Sequence, residues 1–235
     1  KMKIIFLAYR SWALDIVSRI KTHSSIDEYE VFDNQKAFYE FIKDVAPTDY
    51  LVLVIGWSDI IKSEVVDEFM CVGMHPSDLP SYRGGSPIQH QIIDGVRQTK
   101  ASLFRLTSEL DAGGVYLKED LSLIGNTIDQ VFENITISSI RLFTRFLDLY
   151  PNISIDTQVR TDIPAYLRRK PGDSKIELDE FMEPNLVSLF NKIRCLTDPY
   201  PNAYIEDKHG NKLFFTGARI EEGNEDDKKG HNLYE

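Results

Sequence analysis

The chain has 235 residues, of which 42% are hydrophobic and 27% charged, with a formal net charge of −10. These are ordinary proportions for a globular domain with a sizeable core. They exclude a membrane helix, since no run approaches roughly 18 apolar residues, and they disfavour nucleic acid as main ligand, since phosphate binding needs a basic surface. Two cysteines, Cys71 and Cys195, make no disulfide framework, and no Cys/His set has zinc-ligand spacing. The expectation is a cytoplasmic protein without a structural metal. With an apolar run as early as residues 3–6, no signal peptide is expected.

In chain order, residues 3–8 form a short apolar run and residues 12–20 carry apolar positions at helical spacing, the opening of a βα unit. The loop between them, Tyr9-Arg10-Ser11, carries no Gly-x-Gly-x-x-Gly, so a dinucleotide cofactor is not supported. Residues 31–32 suggest a short second strand and 35–45 a helix. Residues 50–56 are nearly all apolar, as expected of a central parallel strand covered on both faces. A helix follows at 60–69 and another strand at 69–72.

A Pro/Gly-rich turn carries His75, and residues 87–94 read as a helix stopped by Gly95. Residues 100–106 alternate like a strand, and 115–121 read as its continuation past the turn at Asp111. Residues 127–150 form a long amphipathic helix ended by Pro151. After a loop-rich passage come a helix at 184–195 and a hairpin: 203–206, a turn at 208–211, then 212–216.

Two residues carry the chemistry. His75 and Asp111 each lie on a constrained turn after an apolar strand, where an α/β protein builds its active site. Histidine titrates near neutral pH, so it can take a proton from an amine or donate to a developing oxyanion. Asp111, if adjacent in space, orients the imidazole and holds its charge. A structural histidine and a turn-forming aspartate are the plainer alternatives.

The run His75-Pro76-Ser77-Asp78-Leu79-Pro80-Ser81-Tyr82-Arg83-Gly84-Gly85-Ser86-Pro87-Ile88-Gln89 resembles the signature of formyltransferases that use N10-formyltetrahydrofolate. That family includes methionyl-tRNA formyltransferase and the sugar N-formyltransferases. Leu110-Asp111-Ala112-Gly113 matches its second motif, and Val54-Ile55-Gly56-Trp57 followed by Asp67 is similar to the strand and helix before its active site. Residues 193–204 resemble its carboxy-terminal Pro-Tyr-Pro-x-Ala segment, and Arg168-Arg169-Lys170-Pro171-x-Asp173 also has a counterpart.

The resemblance implies an α/β fold: a Rossmann-like, mostly parallel sheet with a small C-terminal helix-plus-hairpin subdomain. It places a catalytic domain at 1–170 and the subdomain at 171–220, while the polar, charged composition of 221–235 predicts a disordered tail. It also implies that the formyl donor docks beside Ser77, Asp78, Leu79 and Pro80, with Arg83, Gly84 and Gln89 completing the cofactor site. Proton handling falls on His75 and Asp111, together with an asparagine two residues before the histidine. This chain has Gly73 there. Losing one oxyanion donor typically costs about 2.7–4 kcal/mol, or roughly 100- to 1000-fold in rate. Candidate replacements are a backbone N–H at Gly73, an ordered water and Gln89.

Among acceptors, tRNA is disfavoured because the segment from Pro171 onward is short and carries an acidic excess. A glycinamide ribonucleotide acceptor is disfavoured because no Gly-rich phosphate loop follows the first strand. A nucleotide-linked amino sugar is left, and the His75 motif is similar to that of enzymes for bacterial surface sugars such as pseudaminic-acid-type amino sugars. Trp12 and Trp57 offer stacking faces for a sugar or base, unless they serve as packing. Arg10 offers a bidentate phosphate contact, unless it is solvated. The resemblance also implies a homodimer joined through the carboxy-terminal part. A non-catalytic folate- or nucleotide-sugar-binding protein and a formyltetrahydrofolate hydrolase are the alternatives from other classes.

Overall fold

The computed structural model describes residues 1–159, 164–182 and 185–221. Strand β1 (Met2–Leu7) leads into helix α1 (Ser11–Ile20), then β2 (Ile26–Phe32), α2 (Gln35–Phe41), β3 (Tyr50–Val54), α3 (Ser63–Glu68) and β4 (Met70–His75). Helix α4 (Pro87–Ile93), strands β5 (Gln98–Arg105) and β6 (Val115–Ser122) and the long α5 (Ile128–Leu149) complete the main layer structure. A short α6 (Asp179–Met182), α7 (Leu186–Cys195) and the hairpin β7 (Tyr204–Glu206) and β8 (Lys212–Phe214) follow.

The six-stranded sheet has the order β2-β1-β3-β4-β5-β6. Strands β1 to β4 pair in parallel, and β5 and β6 run antiparallel to their neighbours. The result is the expected Rossmann-like, mostly parallel α/β fold with a C-terminal helix and hairpin. Strand alternation splits the core. Ile4, Phe6, Leu51, Leu53, Val72 and Met74 face α1 and α5, while Ile5, Leu7, Val52, Val54 and Cys71 face the layer that holds Phe38, Val65 and Val66. Each such side chain, fully buried, contributes roughly 1.5–3 kcal/mol. Residues Ile176, Ile193, Cys195, Leu196 and Ala203 join the first of these clusters. No described helix is long and apolar enough to cross a membrane.

Several elements differ from the expected bounds, and tertiary contact is the reason in each case. Strand β2 is far longer than residues 31–32. It sits at the sheet edge, paired only with β1, where the exposed polar positions Asp27, Glu28 and Glu30 mask the strand pattern. Helix α2 stops at Phe41 and tightens into a 3₁₀ turn at Ile42–Asp44. Residues 60–62 are not helical, because their main chain bonds elsewhere: Gln35 Nε2 donates to the Ile60 carbonyl (2.9 Å) and the Lys62 N–H to the Tyr39 hydroxyl (3.1 Å).

Strand β4 reaches past residue 72 to His75, since Met74 pairs with Leu103 and His75 with Ser102 beyond the end of β3. His75 is therefore the last residue of a strand rather than part of the turn. Strand β6 does not continue β5; it folds back antiparallel beside it. Thr127 caps α5, its side chain accepting from the Gln130 N–H, as Asn185 caps α7 through the Ser188 N–H. Pro184 and residues 222–235, nearly all of the expected tail, lie outside the described residues.

Candidate active site

The loops at the carboxyl ends of β1, β3 and β4 meet at one end of the sheet. Because β1 has β2 on one side and β3 on the other, a crevice opens there between chain segments that leave in opposite directions. His75 ends β4 at this edge, buried at 6% exposure. Asp111 lies on the reversal between β5 and β6. The two meet: His75 Nδ1 stands 3.6 Å from Asp111 Oδ2. The other ring nitrogen, Nε2, is 2.9 Å from the Tyr82 carbonyl oxygen. The ring packs edge-on to Phe104 with centroids 6.4 Å apart.

Loop 76–86 is tied down from several sides. Ser77 Oγ donates to the Ser81 carbonyl (2.6 Å), Ser102 Oγ donates to the Ser77 carbonyl (2.7 Å), and the Leu79 N–H donates to Ser102 Oγ (3.2 Å). Lys118 pairs with Asp78 and donates to the Leu79 carbonyl (2.7 Å). Gln91 Nε2 bonds the Pro76 and Pro87 carbonyls (2.7 and 2.9 Å). The Leu79–Pro80 peptide is cis. Of the expected folate contacts, Ser77 and Leu79 thus turn their side chains inward, at 0% and 1% exposure. Arg83 pairs with Glu109 at 3.8 Å. Gly84, at φ 103°, gives its N–H to Asp111 Oδ2 (3.0 Å). Gln89 is buried on α4, and its amide makes no hydrogen bond among the described residues.

The Asp111 turn is equally constrained. Asp111 adopts φ 48°, a conformation that aspartate tolerates better than most side chains. Gln158 Nε2 donates to the carbonyls of Asp111 (2.9 Å) and Gly113 (2.7 Å). A Cβ on Gly113 would lie 1.7 Å from the Arg105 carbonyl oxygen. Gln158 has no counterpart in the sequence reading. It stands in a loop with no motif around it, and only the fold brings it beneath Asp111.

The expected acceptor contacts separate. Arg10 Nε donates to the Gly56 carbonyl (3.1 Å) and Nη2 to Ser58 Oγ (2.8 Å), bridging the loops after β1 and β3. Trp57 sits in the same crevice, its ring edge-on to Tyr9 at 5.5 Å, and its buried Nε1 has no hydrogen-bond partner among the described residues. Trp12 instead stacks on Phe132 (6.2 Å, 15°) and packs over Gly56, where a Cβ would lie 2.8 Å from its ring.

At position 73 an apolar wall occupies the space of a side chain. A Cβ there would lie 2.5 Å from Leu106 Cδ1 and 3.3 Å from Phe104 Cε1. Gly73 also pairs with Val54 on β3 and Phe104 on β5, so its main chain lies within the sheet ladder. Burial pushes the Cys71 and Cys195 thiols up to about 12, so neither is a ready nucleophile. Among the described residues no cluster of three or more His, Cys, Asp or Glu side chains could hold a metal ion. A separate cavity of about 620 Å³, lined by Lys3, Asp49, Tyr50, Met70 and Arg105 among others, opens at the amino ends of β1, β3 and β4, away from His75.

A strand-end histidine beside a turn-borne aspartate at the carboxyl edge of a mostly parallel sheet is an arrangement suited to proton transfer. The chain belongs to the formyl transferase family, whose model matches residues 10–138. Methionyl-tRNA formyltransferase of Rickettsia prowazekii is 31% identical over 157 residues, which cover 66% of this chain and 50% of that protein. The chain thus spans about half the length of the curated relatives it matches. A solved methionyl-tRNA formyltransferase structure from Clostridium thermocellum superposes with a TM-score of 0.81 at 29% identity, covering 95% of this chain and 96% of that one. A sugar N-formyltransferase from Shewanella sp FDAARGOS_354 shares the fold, with a TM-score of 0.69 at 18% identity and coverage of 94% and 99%.

The Gly113 contact generates a stability prediction. Gly113→Ala has to displace the Arg105 carbonyl, and it is expected to lower the unfolding free energy by about 1–3 kcal/mol and to loosen the Asp111 turn. Urea denaturation of variant and parent checks this; an unchanged midpoint would mean that the turn accommodates a methyl group.

Proposed function

We propose that the protein transfers a formyl group from N10-formyltetrahydrofolate to the amine of a nucleotide-linked amino sugar. The observation that carries the reading is the buried His75–Asp111 pair at the edge of β4, in a chain that belongs to the formyl transferase family. The acceptor amine attacks the formyl carbon, a C–N bond forms, and the bond to folate N10 breaks. The amine gives up one proton and N10 takes one up, so no oxidant or reductant is needed. His75 carries that proton, and Asp111 stabilises the imidazolium that forms in transit.

Donor binding falls to loop 76–86 with Arg83, Gly84 and Gln89. Since Ser77 and Leu79 face inward, main-chain groups and Asp78 and Pro80 meet the donor. Arg10 and Trp57 line the crevice on the acceptor side, and Trp12 supports it from behind. The oxyanion is held by a donor other than a residue-73 side chain. Trp57, on the loop after β3, brings a buried N–H group without a hydrogen-bond partner among the described residues, and Gln89, on the helix that follows the His75 loop, brings an amide that makes no hydrogen bond there.

The acidic net charge supports a small acceptor, whereas the methionyl-tRNA formyltransferase that matches at 31% identity favours methionyl-tRNA. Incubation with N10-formyltetrahydrofolate and each acceptor class separates these readings. Tetrahydrofolate release that depends on amino-sugar nucleotides is expected. Release with charged tRNA alone would reassign the acceptor, release with water alone would make the protein a hydrolase, and no release would leave a binding protein.

In that assay His75→Ala and Asp111→Ala are each expected to lower kcat by about 100- to 10,000-fold with the fold intact by circular dichroism. Near-normal rates in both would remove the site assignment. Gly73→Asn alone collides with Leu106, so it is paired with Leu106→Ala. No gain in kcat is expected, whereas a gain of about 100-fold would mean that the natural site lacks an oxyanion donor.

A homodimer joined through the carboxy-terminal part is supported by Leu186, Val187, Leu213 and Phe214, all more than half exposed on α7 and β8. Sedimentation equilibrium is expected to give twice the 27.0 kDa chain mass, and Phe214→Asp to shift it to the monomer. A monomeric parent protein would refute this assembly.

A further inference from the structure

The tripeptide 82–84 touches both members of the catalytic pair with opposite polarity. The Tyr82 carbonyl faces His75 Nε2 at 2.9 Å, and the Gly84 N–H donates to Asp111 Oδ2 at 3.0 Å. A carbonyl oxygen can only accept, so Nε2 carries hydrogen. Which nitrogen of a histidine remains free is set by the bond that the other makes. Here the free nitrogen is Nδ1. At 3.6 Å from Asp111 it lies within charge–charge reach but beyond hydrogen-bond length, so it has no hydrogen-bond partner among the described residues.

The backbone pays for this aim. Tyr82 adopts φ 54° and Gly84 φ 103°. A bulky residue seldom enters the left-handed region, and does so where its surroundings hold it there. The surroundings are explicit. The Tyr82 hydroxyl donates to Asp94 Oδ2 (3.0 Å), and its ring stacks on Tyr166 with centroids 5.0 Å apart and planes at 21°. His90 packs on the other partner, Tyr166, at 4.7 Å. Two main-chain bonds fasten the same segment: the Tyr166 N–H to the Arg83 carbonyl (2.7 Å) and the Gly85 N–H to the Tyr166 carbonyl (2.8 Å). No ligand is needed to explain the ring; it anchors a strained carbonyl that points at a histidine.

We infer that Tyr82 is a positioning residue: its side chain pins a left-handed backbone whose carbonyl holds His75 with hydrogen on Nε2, leaving Nδ1 beside Asp111 as the nitrogen that exchanges the proton. The second half rests on the proposed formyl transfer. As the amine's new C–N bond forms, its proton passes to Nδ1. As the bond to N10 breaks, the same proton passes on to N10, and His75 returns to its starting form. The positive charge in between sits on the side of the ring that faces the Asp111 carboxylate. Nε2 takes no part in the exchange, because its hydrogen remains bonded to Tyr82 throughout.

The test uses the full chain labelled with ¹⁵N-histidine, with the His75 resonances assigned by their loss in His75→Asn. Long-range ¹⁵N–¹H correlations are expected to report the Nε2–H tautomer in the parent protein. Tyr82→Ala removes both anchors, and it is expected to give mixed tautomers and to lower kcat by about 10- to 100-fold with little change in KM, as a misaligned catalytic group does. Tyr82→Phe keeps the stack and is expected to retain the parent tautomer and most of kcat. If Tyr82→Ala fails to fold, Tyr82→Gly replaces it, since glycine enters φ 54° without strain yet lacks the ring. An Nδ1–H tautomer in the parent, or an unaltered Nε2–H signature in the anchorless variant, overturns the inference. The spectrum is read without substrate, so a protein that transferred no formyl group would fail the assay above and leave this measurement intact.

Discussion

The antiparallel pairing of β5 against β4 is the constraint on which the site depends. Strands β1 to β4 run in parallel, and a fifth parallel strand would send its own loops to the opposite sequence context from the one seen. Because β5 instead runs back along β4, His75 at the end of β4 lies opposite Ser102 in the middle of β5. Ser102 then serves the loop beyond His75, accepting from the Leu79 N–H and donating to the Ser77 carbonyl. The same hairpin, through Lys118 on β6, clamps Asp78 and the Leu79 carbonyl. One strand reversal thus shapes the loop on one side and delivers the Asp111 turn on the other.

The His75–Asp111 pair is held through main-chain groups. His75 bonds a carbonyl, Asp111 accepts from an amide, and the Asp111 turn hangs on Gln158 through two carbonyls. Such contacts depend on backbone conformation, which explains the cluster of left-handed residues around the site: Tyr82, Gly84, Ser86 and Asp111. Backbone strain gathers where geometry matters and the surrounding packing can hold it. Here the stack of Tyr82 on Tyr166 and the short ladder between residues 83–85 and 166 supply that hold.

The resemblance implies an asparagine at position 73, and apolar side chains occupy that place instead. Leu106 and Phe104 fill the volume beside Gly73, so this wall of the site is apolar where an amide would otherwise stand. A low-dielectric wall strengthens the attraction between Asp111 and a protonated His75. In the proposed transfer, oxyanion stabilisation falls to groups on other elements, and the buried Trp57 N–H, without a partner among the described residues, is suited to that task.

Much of this was legible from residue order. The apolar runs at β1, β3 and β4, the long stripe of α5, and the Pro/Gly punctuation around His75 and Asp111 all rest on local periodicity and turn chemistry, which a chain carries along its length. Helix α3 was overextended and β2 underestimated, because bonds to Gln35 and Tyr39 and an edge position in the sheet overrode the local pattern. The identities of the histidine and the aspartate, and the absence of an asparagine at position 73, follow from the order of residues alone. That His75 closes a strand, that Trp12 packs over Gly56 while Arg10 bridges the loops after β1 and β3, and that Gln158 and Tyr82 meet the pair were decided by tertiary structure. These contacts join segments distant in the chain through single hydrogen bonds and ring stacks, and neither hydrophobic period nor turn propensity encodes such a meeting.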